Sequence, residues 1–289
     1  MGIAVNITRD SIGLDKKFDE LLIKLQSAGE LVTKLNSDFV EFYQSSNFNE
    51  LDSTFYTRYS NYELGVLLKA IFDEGIGQAT TSGNTEEDIR NILQNNNGVE
   101  GDNQNLLLSI DDYSFAGEIA HLLVSTESAI VDWASNLLKT VNCNDALLGE
   151  YLQSTFANLL YYNDFNSLSN IKGGFHNFQK EIINFLHLLN FFELDDGSVA
   201  GDINRIDAQV THVFCEEGGA KSTRSQGELK KEFTFKNKKY CNVNCEYHYK
   251  LENMDDQKGG KHFKNRIYIG FIKSGEFKKI GIAHIGAHL

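Results

Sequence analysis

Residues 265–289 read NRIYIGFIKSGEFKKIGIAHIGAHL. Two short β-branched and aromatic runs, NRIYIGFI (265–272) and KKIGIAHIG (278–286), are joined by Lys-Ser-Gly-Glu-Phe, with Gly275 at the turn. That pattern predicts a β-hairpin. Upstream, EYHYKLE (246–252), KEFTFKN (231–237) and AQVTHVFC (208–215) are also short, aromatic or β-branched, and bounded by Gly, Asn or Ser. The segment DDGSVAGD (195–202) has the composition of a turn or linker. Together these stretches predict a small antiparallel β-sheet domain over residues 203–289.

Before the linker the period changes. Phe18, Leu21, Leu22, Leu25, Ala28, Val32, Leu35, Phe39 and Phe42 fall at three- and four-residue steps across 15–43, which predicts a helix. Amphipathic runs follow at 62–74, 86–94, 115–141, 146–162 and 177–193, with Asn-, Gly- and Ser-rich loops at 75–84 and 95–104. Thr85 with Asp88 three residues on forms an N-cap pattern. The fold expected is therefore α+β: an N-terminal all-α helical domain (1–195), then the small antiparallel sheet.

The net charge of −13 would argue against a nucleic-acid partner, but it is unevenly spread. Residues 221–289 hold 15 Lys and Arg against 7 Asp and Glu, and the remainder holds 12 against 33. An acidic body with a basic domain points to an anionic partner for the basic part. The competing reading is that the two halves neutralise each other, within one molecule or in a homo-oligomer. Four Cys and no signal-like leader point to a reducing cytoplasm. No apolar run approaches the ~18 residues of a membrane helix.

The chemistry lies in three of the strands. Residues two apart share a face, so His248 with Lys250, Arg266 with Tyr268, and His284 with Gly286 and His288 each form a polar face. The opposite faces carry Tyr247, Tyr249 and Leu251, then Ile267, Ile269 and Phe271, then Ala283 and Ile285. If the strands are neighbours, two or three imidazoles meet Lys, Arg and Tyr. Metal-free RNA cleavage needs a base for the 2′-hydroxyl, an acid for the leaving 5′-oxygen and cations for the phosphorane. Imidazoles titrate near neutrality and can divide the first two roles, and Arg266 can hold phosphate bidentately. The alternative is an ordinary solvated sheet face.

Over about residues 230–289 this pattern resembles the small ribonuclease toxins of the RelE and barnase–colicin group. The closing IAHIGAHL is similar to a closing signature of uncharacterised bacterial proteins from defence or mobile loci. The resemblance implies a twisted antiparallel sheet carrying His248, Lys250, Arg266, Tyr268, His284 and His288 as the catalytic set, with RNA or the ribosome as partner. The sequence departs from those toxins in its helical domain, which they lack and which is expected to be a sensor, an inhibitor-binding platform or an oligomerisation unit.

A second reading is zinc, held by Cys241, Cys245 and His248 with Cys215 as a further ligand. The three-residue spacer between the Cys is not a tight knuckle, and strand alternation separates Cys245 from His248. His121 and His187 lie in apolar helical runs and are expected in the core or between helices, while His176, His212 and His262 have no partner by spacing. No GxxxxGK[ST], GxSxG or HExxH motif occurs, which argues against P-loop, α/β-hydrolase and zincin chemistry. Tyr240, Tyr247, Tyr249 and Tyr268 are interleaved with Lys236, Lys238, Lys239 and Lys250, a pattern suited to single-stranded RNA. The expectation is a cytoplasmic, metal-independent ribonuclease or toxin-like effector. The alternative is a non-catalytic nucleic-acid or protein-binding adaptor, with or without structural zinc.

Overall fold

A computed structural model describes residues 1–12, 17–48, 57, 62–95, 97–109, 119–162, 168, 170–210, 214–216, 229–251 and 265–287, with backbone alone at 12 and 214–216. The chain divides into two compact units, Met1–Leu137 and Leu138–Leu289.

The first unit corrects the all-α expectation, because its centre is a six-stranded, largely parallel sheet. In chain order it contains β1 (Gly2–Ile7), α1 (Phe18–Leu35), β2 (Val40–Gln44), α2 (Tyr62–Glu74), β3 (Thr80–Thr81), α3 (Glu86–Asn95), β4 (Val99–Glu100), β5 (Asn103–Leu108) and β6 (Leu123–Val124). Helix α4 (Glu127–Leu138) follows. The strands run β3-β2-β1-β5, with β6 beside β5, all parallel; among the described strands of this sheet only β4 folds back, antiparallel on β5. The chain steps outward from β1 to β3, then returns to the far side of β1 at β5. That reversal is the hallmark of a doubly wound α/β sheet.

The reason the sequence hid this sheet is physical. Parallel strands covered on both faces show no alternation, and β1 (GIAVNI) is buried at every position. Asn6 and Asn105 interrupt the apolar runs, Asn6 Nδ2 donating to Asn105 Oδ1 at 3.0 Å. Strand β2 read as helix because Phe39 and Phe42 continue the spacing of α1. The helix instead stops at Asn36, which adopts extended backbone and accepts the Phe42 N–H with its side chain at 3.1 Å. Two elements match expectation closely. Helix α2 spans 62–74, and α3 begins with a reciprocal capping box, Asp88 N–H to Thr85 Oγ1 and Thr85 N–H to Asp88 Oδ2. Backbones meet where Gly29 of α1 faces Gly75, since a Cβ at Gly29 would lie 2.8 Å from the Gly75 Cα.

The second unit is also mixed. It holds α5 (Asp145–Thr155), β7 (Leu160–Tyr161), α6 (Gln179–Asn190), α7 (Val199–Asp207), β8 (Phe214–Glu216), β9 (Lys230–Phe235), β10 (Lys238–Asn244), β11 (Tyr247–Leu251), β12 (Asn265–Ser274) and β13 (Phe277–Ala287). Of the five strands expected in one antiparallel sheet, β8, β11, β12 and β13 form part of a five-stranded sheet, β7-β13-β12-β11-β8, whereas β9 pairs with β10 in a separate two-stranded ribbon. Strand β7, in a run read as helix, pairs parallel with β13. The DDGSVAGD segment is partly a helix start: Ser198 caps α7, its Oγ accepting the Gly201 N–H.

Each face of this sheet has a cover. On one, Tyr249 stacks on Phe185 of α6, with centroids 4.3 Å apart, and donates its hydroxyl to Glu181 at 3.0 Å. On the other lies the two-stranded β9–β10 ribbon. Its Phe233 ring occupies the space a Cβ on Gly281 would need, and Cys245 with Val243 does the same over Gly270. Glycine at 270 and 281 therefore lets the ribbon sit against the sheet.

Candidate active site

Strands β11, β12 and β13 are neighbours, and their register aligns the sequence-derived residues in two rows. His248 pairs with Tyr268, which pairs with His284. In the next row Lys250 pairs with Arg266, which pairs with Gly286. The Tyr268 ring lies between the imidazoles, 5.2 Å from His248 and 6.0 Å from His284 by centroid. His288 lies outside the described residues.

The face is not a solvated surface. Tyr268 is 0 % exposed, His248 3 % and Arg266 6 %. Lys250 and His284 are half-buried. The ribbon accounts for part of this cover, since Phe233 and Cys245 join Tyr268 in one apolar cluster. Ala283 belongs to that cluster as well, against the alternation expected from sequence. The cause is a β-bulge: Tyr268 faces His284 while Ile269 faces Ile282, leaving Ala283 as the extra residue. Bulges of this kind re-aim side chains beside functional sites.

His284 is the most accessible of the three aromatic groups in its row. Its Nε2 lies 3.0 Å from the Ala287 carbonyl, which can only accept, so Nε2 carries the proton. Burial holds the ring's pKa below the ordinary 6.5, and the charge of Lys231 lowers it further against the opposing carbonyl bond. At neutral pH the ring is uncharged, with a lone pair on Nδ1. His248 donates Nδ1–H to the Glu246 carbonyl at 3.2 Å. Arg266 donates from Nη1 to the Asn265 carbonyl at 2.8 Å. Asn265 is itself fixed, exchanging two hydrogen bonds with the Lys172 backbone.

Lys231 was not among the residues singled out from sequence. It lies on β9, and its ammonium sits 4.9 Å from the centre of the Tyr162 ring. Only the packing of ribbon on sheet places it near His284, and no spacing rule links residues 231 and 284.

Of the residues named for zinc, Cys241 and Cys245 have separate surroundings. Cys241 is exposed on the ribbon and donates its thiol to Glu232 at 2.9 Å. Cys245 is buried in the apolar cluster, and desolvation pushes its thiol up to about 12. Cys215 is opposite His248 in the β8–β11 register, with its side chain outside the description. Among the described residues no three His, Cys, Asp or Glu are grouped to hold a metal ion.

Other readings resolve individually. Tyr249 and Tyr247 lie on the face away from the His row, Tyr249 on Phe185 and Tyr247 against Phe271. His187 is interhelical as expected, between Phe156 and Phe191. His121 is exposed in a short turn and not in the core. His176 bonds Gln179 at 3.1 Å, while His212 and His262 lie outside the described residues. Among the described residues no helix is long and apolar enough to cross a membrane. No family model, no curated protein and no solved structure matches the chain.

Proposed function

We propose that the second unit cleaves RNA without a metal ion, alone or on the ribosome. The observation that carries this reading is the cross-strand row His248–Tyr268–His284, flanked by Lys250 and Arg266 in the next register. His284, held neutral, takes the 2′-hydroxyl proton on Nδ1. The 2′-oxygen bonds to phosphorus, the bond to the 5′-oxygen breaks, and that oxygen takes the Nε2 proton of the imidazolium form of His248, whose Nδ1–H stays on the Glu246 carbonyl. The products are a 2′,3′-cyclic phosphate and a 5′-hydroxyl. Arg266, Lys250 and Lys231 offset the charge on the phosphorane, and Tyr268 spaces the two rings.

The test is incubation of full-length protein with total cellular RNA in EDTA, with and without ribosomes. Wild type is expected to release cyclic-phosphate ends. His284→Ala should lose about 10²–10⁴-fold in rate while its circular dichroism and thermal midpoint stay close to wild type. A second reading, a non-catalytic nucleic-acid or protein-binding adaptor, draws on the near-complete burial of His248, Tyr268 and Arg266. Binding of RNA without cleavage under both conditions would select it.

A further inference from the structure

The β9–β10 ribbon, KKEFTFKNKKYCNVN (230–244), carries five Lys against a single Glu. Lys230, Lys236, Lys238 and Lys239 are exposed and Lys231 is half-buried. Glu232 is already occupied, by Lys239 at 2.8 Å and by the Cys241 thiol. The turn takes positive φ at both Lys236 and Asn237, the tight primed geometry of a two-residue hairpin. It leaves Phe235 and Tyr240 beside Phe277, which opens β13. Tyr240 stacks on Phe277 with centroids 4.7 Å apart and planes 10° from parallel, and Phe235 lies 5.1 Å from Phe277. Lys238 sits 5.1 Å over the Tyr240 ring and Lys236 5.5 Å over Phe235.

These rings are half-buried. Packing the hairpin tips together explains the stack, but it does not require a lysine over each outer ring. Rings whose outer faces are covered by exposed ammonium groups suit unstacked bases, the ammonium groups moving aside to the phosphates between them. From Phe277 to His284 is seven residues of strand, roughly 23 Å at ~3.3 Å per residue. Lys231 stands at the His284 end of the ribbon.

We propose that the ribbon and Phe277 form a docking track for single-stranded RNA, which leads the strand from the Tyr240 platform to His284. Its destination rests on the RNA-cleaving reading above, whereas binding to the track does not.

The test uses the full chain in EDTA. A fluorescein-labelled 20-nucleotide oligouridylate is titrated by fluorescence anisotropy with the His284→Ala protein, which leaves the probe intact. The comparison is the same protein carrying Lys236→Ala, Lys238→Ala and Tyr240→Ala. The triple change is expected to weaken Kd about tenfold or more. It should also make the salt slope shallower by about 1.4, or ~0.7 for each lysine. Tyr240→Phe, which keeps the ring, should bind like its parent. In the active protein the triple change should raise KM for the 20-mer and leave a dinucleotide unaffected, because a dinucleotide cannot reach the platform.

Unchanged affinity and salt slope would overturn the track. So would binding of an RNA duplex, or of polyglutamate, as tightly as the oligouridylate and insensitive to Tyr240→Ala. If the triple change lowers the thermal midpoint, the exposed pair Lys236→Ala and Lys238→Ala alone must still reduce the salt slope. Ribbon-dependent binding without any cleavage would keep the track and remove the ribonuclease. Cleavage with no ribbon dependence would do the reverse.

Discussion

His284 sits where desolvation, a neighbouring cation and one backbone carbonyl set its charge. Desolvation and Lys231 both lower the pKa, and the Ala287 carbonyl only partly opposes them. A base must be unprotonated, so the acid limb of kcat/KM should fall below the ordinary 6.5, and Lys231→Gln should move it upward. A pH–rate profile on RNA checks this, and a limb above 6.5 would remove His284 as the base. For stability the sign follows from the depressed folded pKa. The contribution is whole above 6.5 and lost as pH falls through the folded value. At this scale the sequence was informative where period two governs: His248, Tyr268 and His284 face one another as alternation implied. It was silent on Lys231, which arrives from another hairpin, and misleading at Ala283, where a bulge breaks the count.

Among the elements, α7 shows how a helix is fastened to the sheet. Its Asp202 is fully buried and pairs with Lys273 of β12 at 2.5 Å and with Arg205 of its own helix. Burial alone would raise the pKa of Asp202, but the hydrogen bonds from Lys273 and Arg205 outweigh it and hold the carboxyl below its usual range. Asp202→Asn leaves Lys273 without its buried partner and should cost about 2–4 kcal/mol at neutral pH. The depressed pKa supplies stability above the ordinary 3.8 that is lost as pH falls through the folded value. Denaturant melts of both proteins should therefore converge in acid, and a gap independent of pH would contradict the assignment. The elements legible in sequence were the antiparallel strands β11 to β13, whose faces meet different covers. Strands β1 and β5 were not, because a strand buried on both sides carries no period. The DDGSVAGD composition hid a helix cap within an apparent linker.

For the whole molecule the division at Leu137 and Leu138 makes a direct prediction. Residues 138–289 expressed alone should unfold cooperatively in thermal circular dichroism. Residues 196–289, starting at the linker read from composition, should not. The shorter piece lacks α5, α6 and β7, so Tyr249 loses Phe185 and β13 loses its outer neighbour. A cooperative melt from the shorter piece would contradict this account of the fold. Charge asymmetry pointed to a basic part, but composition could not show that three helices share its unit.

The place of β13 in the sheet has a consequence in time. It is an inner strand, between β7 and β12, yet it is the last of the sheet's strands along the chain. Its partner β7 precedes it by roughly 120 residues. During translation the sheet therefore waits for its middle: α6, β7 and β12 emerge first, with pairing edges unfilled. His284 is delivered with the strand that closes the gap. A nascent chain halted before Phe277 has neither the completed sheet nor the imidazole row, so closure of the sheet and arrival of His284 are one event.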